Sequence, residues 1–167
     1  MPGHPPEEFA LGPMTHGDLR QVLALERRCF GDPWSRASFE AEIGDEEGIH
    51  WARIARRGTR LAGFVIAWYI LDEAHIANLA VTPMFRFMGL GRQMVQATIA
   101  EARRRRARWV GLEVRVSNHA ALELYKGMGF RPTSRRRGYY REGPQPEDAL
   151  VMTLDLTCRP ADGDPLE

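Results

Sequence analysis

The stretch HIANLAVTPMFRFMGLGRQMVQATIAEARRRRARWVGLEVRV, residues 75–116, reads as strand, glycine-bearing junction, helix and strand. Its opening HIANLAV is mostly apolar, and Pro83 ends the sheet signal. From Gly89 to about Arg105, the apolar Leu90, Met94, Val95, Ile99 and Ala102 recur at helical spacing. WVGLEVRV (109–116) then alternates, with Val110, Leu112, Val114 and Val116 on one face and Trp109, Gly111, Glu113 and Arg115 on the other. Strand, helix and strand in this order imply a parallel crossover.

The flanks differ in kind. Upstream, residues 49–56, 61–71 and 75–81 are three strand candidates, with RRGTR (56–60) and LDEA (71–74) as hairpin turns. Before them, Phe9–Met14 reads as a short edge strand, and Thr15 caps a helix through HGDLRQVLALERRCF (16–30). GDPW (31–34) breaks that helix, and Ser35 caps a shorter one, RASFEAEI (36–43), closed by Gly44. Downstream, Asn118 caps HAALELYKGM (119–128), and FRPTSRRRGYYR (130–141) and DALVMTLDL (148–156) form a last antiparallel pair. The expected order is β-α-α-β-β-β-α-β-α-β-β: an α/β (α+β) fold whose mixed, mostly antiparallel sheet contains one parallel pair. Residues 9–156 form one domain; 1–8 and 157–167, rich in proline and charge, read as flexible ends.

Composition narrows the partners. A net charge of +1 gives no global attraction to nucleic acid or anionic membrane. RRRRAR (103–108) closes a helix, where basic residues favour the dipole, and lacks interleaved aromatics; no specific nucleic-acid partner is expected. The longest strongly apolar run, Leu61 to Leu71, is too short to span a bilayer, and the N-terminus lacks the apolar stretch of a signal peptide. Cys29 and Cys158 read as reduced thiols, Cys29 as buried packing. The histidines are scattered, so no metal is expected. A cytoplasmic monomer follows.

RFMGLG (86–91) lies where the helix begins. Glycine allows close backbone approach and positive φ, and a helix start offers unpaired N–H groups to an anion. Alone, the two glycines are weak evidence and better suit a plain turn before a helix. Arg86-x-x-Gly89-x-Gly91, however, resembles the Arg/Gln-x-x-Gly-x-Gly/Ala signature of the GNAT acetyltransferases, and the element order resembles their fold throughout. DPWS (32–35), LDEAHIANLAV (71–81), LEVRVSNHAALELYKGMGF (112–130), RRRGYY (135–140) and EDALVM (147–152) are similar to the RimI type, which acetylates the N-terminal alanine of a small-subunit ribosomal protein.

The resemblance implies a fold and a site. Acetyl-coenzyme A would lie in a V between splayed central strands, its pyrophosphate held by Arg86, Phe87, Met88, Gly89, Leu90, Gly91 and Arg92. Leu79, Ala80 and Val81, on a bulged strand, would lend backbone groups to the pantetheine and stabilise the thioester oxygen; Asn118 would touch the same arm. Phe87 and Met88 stand where the family is usually polar or basic, which leaves the grip to backbone N–H groups and the helix dipole. Gly138 stands where asparagine is common.

For chemistry, Glu113 and Tyr125 carry the implied roles. A carboxylate inside an apolar strand needs a partner or solvent, so Glu113 reads as an ion pair with Arg115 or another arginine, or as the general base of the family acting through water. Tyr125 lies two helical turns beyond Asn118 and would ordinarily be core; the resemblance makes it the general acid for the departing thiolate. Trp34, Tyr139 and Tyr140 are candidates for the peptide groove, with packing as the alternative. The expected partner is the N-terminus of a ribosomal protein or other peptide; the alternatives are a small-molecule amine, a lysine side chain or non-catalytic coenzyme A binding.

Overall fold

A computed structural model describes residues 8–45 and 47–157. Apart from Glu8 and Thr157, the expected flexible ends lie outside the described residues. Seven strands form one sheet: β1 (Ala10–Pro13), β2 (His50–Arg57), β3 (Arg60–Ile70), β4 (Glu73–Val81), β5 (Trp109–Arg115), β6 (Arg131–Tyr140) and β7 (Glu147–Asp155). The helices are α1 (Leu19–Cys29), α2 (Arg36–Ala41), α3 (Leu90–Arg104) and α4 (His119–Gly127). The order across the sheet is β1-β2-β3-β4-β5-β7-β6, antiparallel except for the β4–β5 pair. The expected α/β fold is therefore present. Its last hairpin inserts β7 beside β5, leaving β6 at the edge.

Local chemistry sets the element ends. The Ser35 hydroxyl accepts the Ser38 N–H at 3.1 Å and starts α2; the Asn118 side chain accepts the Ala121 N–H at 3.2 Å and starts α4. Of the boundaries that differ from expectation, two have a clear local cause. LDEA is shorter as a turn, because β4 already begins at Glu73, with Leu71 at φ 55 making the tight reversal. A 3-10 turn over His16–Asp18 precedes α1, because the Asp18 carboxylate takes the Thr15 N–H at 2.8 Å and tightens the entry.

The sheet separates two cores. On one face α1 and α2 bury Leu19, Val22 and Phe39 against Ile54, Phe64 and Ile66. On the other, α3 and α4 bury Met94, Val95, Ile99 and Leu122 against Val65, Ala67, Val110 and Leu112. Each large side chain so buried stabilises the fold by roughly 1.5–3 kcal/mol. β3, buried on both faces, is apolar almost throughout, while β5 alternates buried and half-buried residues. The α1–α2 layer covers the β2–β4 half, so the Glu113 face of β5 opens onto space.

Candidate active site

The parallel ladder between β4 and β5 runs only from Glu73↔Trp109 to Ile76↔Leu112. One residue later β4 carries an extra residue against β3: Ile66 pairs with Asn78, but Ala67 pairs with Ile76. This bulge at Ala77 turns the upper half of β4 away from β5. The expected bulge at Leu79–Val81 is thus displaced to Ala77, where the ladder shift lies.

What the bulge exposes follows from hydrogen-bond phase. The Thr82 N–H donates to the Ala62 carbonyl at 2.8 Å. Alternation along an antiparallel pair then directs the backbone groups of Ala80 and Asn78 to β3, and those of Leu79 and Val81 to the open side. A cleft of about 420 Å³ fills the gap between the splayed strands. Glu113, Tyr125, Asn118, Leu79, Trp34, Tyr139 and Tyr140 all line it. Ala80 is buried in the α1–α2 core and offers no side chain there.

Glu113 is half-buried at the cleft wall and pairs with another arginine, not with Arg115. Its Oε2 meets Nε2 of His75 at 2.9 Å, and its Oε1 meets Arg136 at 3.3 Å. The His75 hydrogen bond, opposed by burial and aided by Arg136, holds its carboxyl below the usual carboxylate range. Arg115 instead pairs with Glu142 and Glu147 and lies 4.0 Å over the Tyr140 ring. Tyr125, on α4, packs against Phe130, and burial pushes its phenol up to about 12, helped by Tyr140. Burial also raises Tyr140 to about 12. Both phenols hold their protons at neutral pH.

Glu26 lies on the buried face of α1. It is 1% exposed, and it takes the Trp34 N–H at 2.9 Å and Asn78 Nδ2 at 3.0 Å. It thereby ties the loop between α1 and α2 to β4 just beyond the bulge. Burial raises its carboxyl. Asp32 and Glu142 add acidic side chains to the cleft wall. Asp32 lies within the DPWS motif, whereas Glu26 and Glu142 stand outside the motifs the sequence singles out.

The junction 86–92 lies past the end of β4 and is not part of the cleft wall. Phe87 (φ 61) and Gly89 (φ 82) both take left-handed conformations, and α3 begins at Leu90. Leu90 is 1% exposed and anchors the helix start, whereas Phe87 is 94% exposed. Arg86 turns back, donating Nε to the Val81 carbonyl at 3.2 Å and reaching Cys29 Sγ at 3.5 Å. Cys29 is accordingly half-buried beside a guanidinium, a correction to its expected burial. Among the described residues, no cluster of His, Cys, Asp or Glu suits a metal, and no helix is long and apolar enough to cross a membrane.

Residues 19–130 match the acetyltransferase (GNAT) family. The chain belongs to that family. The ribosomal protein bS18-alanine N-acetyltransferase of Escherichia coli K12 is 36% identical over 140 residues, 84% of this chain and 93% of that protein. The N-alpha-acetyltransferase RimI of Mycobacterium tuberculosis is 32% identical over 155 residues, 89% and 94% of the two chains. The crystal structure of the Escherichia coli ribosomal-protein-S18-alanine N-acetyltransferase superposes with a TM-score of 0.82 at 31% identity, covering 93% of this chain and 98% of that one. The splayed β4–β5 pair of this GNAT chain therefore sits in a fold shared with protein N-terminal acetyltransferases.

Proposed function

We propose that the chain transfers the acetyl group of acetyl-coenzyme A directly to a protein N-terminal α-amine, that of an N-terminal alanine on a small-subunit ribosomal protein, in the cytoplasm and as a monomer. The observation that carries this reading is the meeting of Glu113 and Tyr125, from β5 and α4, in one cleft floored by the outward backbone edge of β4.

Acetyl-coenzyme A supplies an activated acyl group as a thioester. Leu79 and Val81 would hold its arm through outward backbone groups, with Asn118 alongside. The first N–H groups of α3, beginning at Leu90 behind Gly89, suit a pyrophosphate. Glu113 takes the amine proton through one water. Its depressed carboxyl is a weak base, but an α-amine titrates near 8, so a neutral amine is reached at modest cost. The β4 N–H groups face the charge that grows on the carbonyl oxygen. Tyr125 keeps its phenolic proton until the thiolate leaves and then donates it. Trp34, Tyr139 and Tyr140 line the amine side with Asp32, whose carboxylate suits a cationic N-terminus, while Glu142 is paired with Arg115 and Glu26 is buried.

Mass spectrometry of short peptides incubated with enzyme and acetyl-coenzyme A tests the reading. Peptides beginning with alanine should gain one acetyl group, while N-blocked peptides with internal lysines should not. Glu113→Gln and Tyr125→Phe should each lower kcat by roughly a hundredfold, the usual worth of a general acid or base. Turnover confined to polyamines or internal lysines would remove the peptide assignment; unchanged rates in both variants would remove the catalytic one.

A further inference from the structure

Glu113 stands between two clefts. Its carboxylate lines the substrate cleft, while its partner His75 lines a second one of about 320 Å³ with Trp68, Trp109, Gly111 and Thr153. The imidazole is held by its neighbours. Trp68 stacks on it with ring centroids 5.9 Å apart, and Nε2 meets Glu113 Oε2 at 2.9 Å. Nδ1 looks toward Gly111, where an added Cβ would lie 3.8 Å away. The ring borders the second cleft and is not covered from the Gly111 side. The two side chains differ accordingly, His75 being 36% exposed and Glu113 13%.

We propose that His75 is a positioning residue for acetyl transfer: Nε2–H holds Oε2 of Glu113, and a proton taken at Nδ1 from the second cleft lowers the basicity of Glu113. The inference rests on the acetyl-transfer reading above. With a neutral ring, Nε2–H makes one hydrogen bond and leaves Glu113 lone pairs for the water facing the amine. Once Nδ1 also carries a proton, the same contact becomes an ion pair, and the carboxylate accepts a proton less readily. The only bond made or broken at His75 is Nδ1–H, exchanged with water.

The charged neighbours do not compete for this role. Arg136, 3.3 Å from Oε1 of Glu113, is charged throughout the working pH range. Glu73, on the same strand, lines the second cleft with His75. Beyond the Trp68 indole, Glu42 accepts from Trp68 Nε1 at 3.0 Å and pairs with His50, so that pair faces His75 only across the ring. His75 is the imidazole in contact with the proposed base, and an imidazole nitrogen can take up or give a proton.

Two measurements test this. In kcat/KM for an alanine peptide, the wild type should fall with unit slope below about pH 8 as the amine protonates, and more steeply once His75 takes a proton. His75→Gln, which keeps an N–H donor, should hold unit slope throughout and lose about three- to tenfold at pH 8, the worth of one altered hydrogen bond. Identical slopes in the two proteins overturn the proposal while leaving acetyl transfer in place. Proton NMR of the free enzyme needs no turnover. The His75 ring signal, assigned by its loss in His75→Gln, should titrate at lower pH in Glu113→Gln, because the anion favouring imidazolium is gone. An unchanged midpoint overturns the proposal whether or not the peptide is acetylated.

Discussion

Glu113 and Glu26 are carboxylates of one site held in opposite ways. Glu113 keeps a histidine and an arginine and stays below its usual range; Glu26 is buried against two neutral donors and is raised. A raised carboxyl favours the folded state below its unfolded range, near 4.5, and that contribution is lost as pH rises through the folded value. Glu26→Gln therefore should not lower Tm at neutral pH, provided Asn78 flips to accept from the new amide. The difference between variant and wild type should grow in the variant's favour as pH rises from about 4.5 to 8. Thermal melts across that range check it, and a fall of more than about 4 °C at pH 7, roughly 1 kcal/mol or more, would show that the two accepted bonds outweigh the buried charge.

Two elements govern the donor side of the cleft. The upper half of β4 is held against β3 at Gly63, where an added Cβ would lie 2.6 Å from the Ala80 carbonyl and 3.2 Å from Met94. Backbone cannot yield as a side-chain tip does. Gly63→Ala should destabilise the fold by about 1–3 kcal/mol, as overpacking does, and raise KM for acetyl-coenzyme A more than for peptide. Equal effects on both substrates would mean that β4 absorbs the methyl without moving its free edge. The start of α3 behaves differently, since Phe87 is exposed at positive φ. Phe87→Gly removes that strain and keeps the N–H, so coenzyme A affinity by calorimetry should stay within about threefold and stability should rise by up to about 1 kcal/mol. A tenfold loss would give the phenyl ring a binding role.

Across the whole molecule, Glu101 links distant parts of the fold. On α3 it clamps Arg104 and Arg105; Arg105 in turn reaches the Gly48 carbonyl and lies 4.4 Å over the Tyr69 ring. Hydrogen bonds from Arg104, then Arg105, lower its carboxyl to about 2. A depressed carboxyl stabilises the fold above its unfolded range and loses that effect as pH falls toward the folded value. Glu101→Gln should therefore melt about 2–4 °C lower at neutral pH, a figure kept small by solvent screening, and the gap should close between pH 4.5 and about 2. Melts that stay parallel across that range would assign the loss to packing.

The sequence by itself determined the elements, their order, the parallel crossover and the two helix caps, because each rests on local periodicity or on a side chain bonding to backbone three residues away. It also carried, through LEVRVSNHAALELY, the residues Glu113, Asn118 and Tyr125 that line one cleft. Only the tertiary structure decided which partners each acquired. His75 and Arg136 come to Glu113 from β4 and β6, and Asn78 comes to Glu26 across 52 positions of chain. The bulge fell at Ala77 because its place is set by how β4 is shared between an antiparallel neighbour and a parallel one. Contacts between residues far apart in the chain leave no period to read, and the surroundings of the proposed base are made of such contacts.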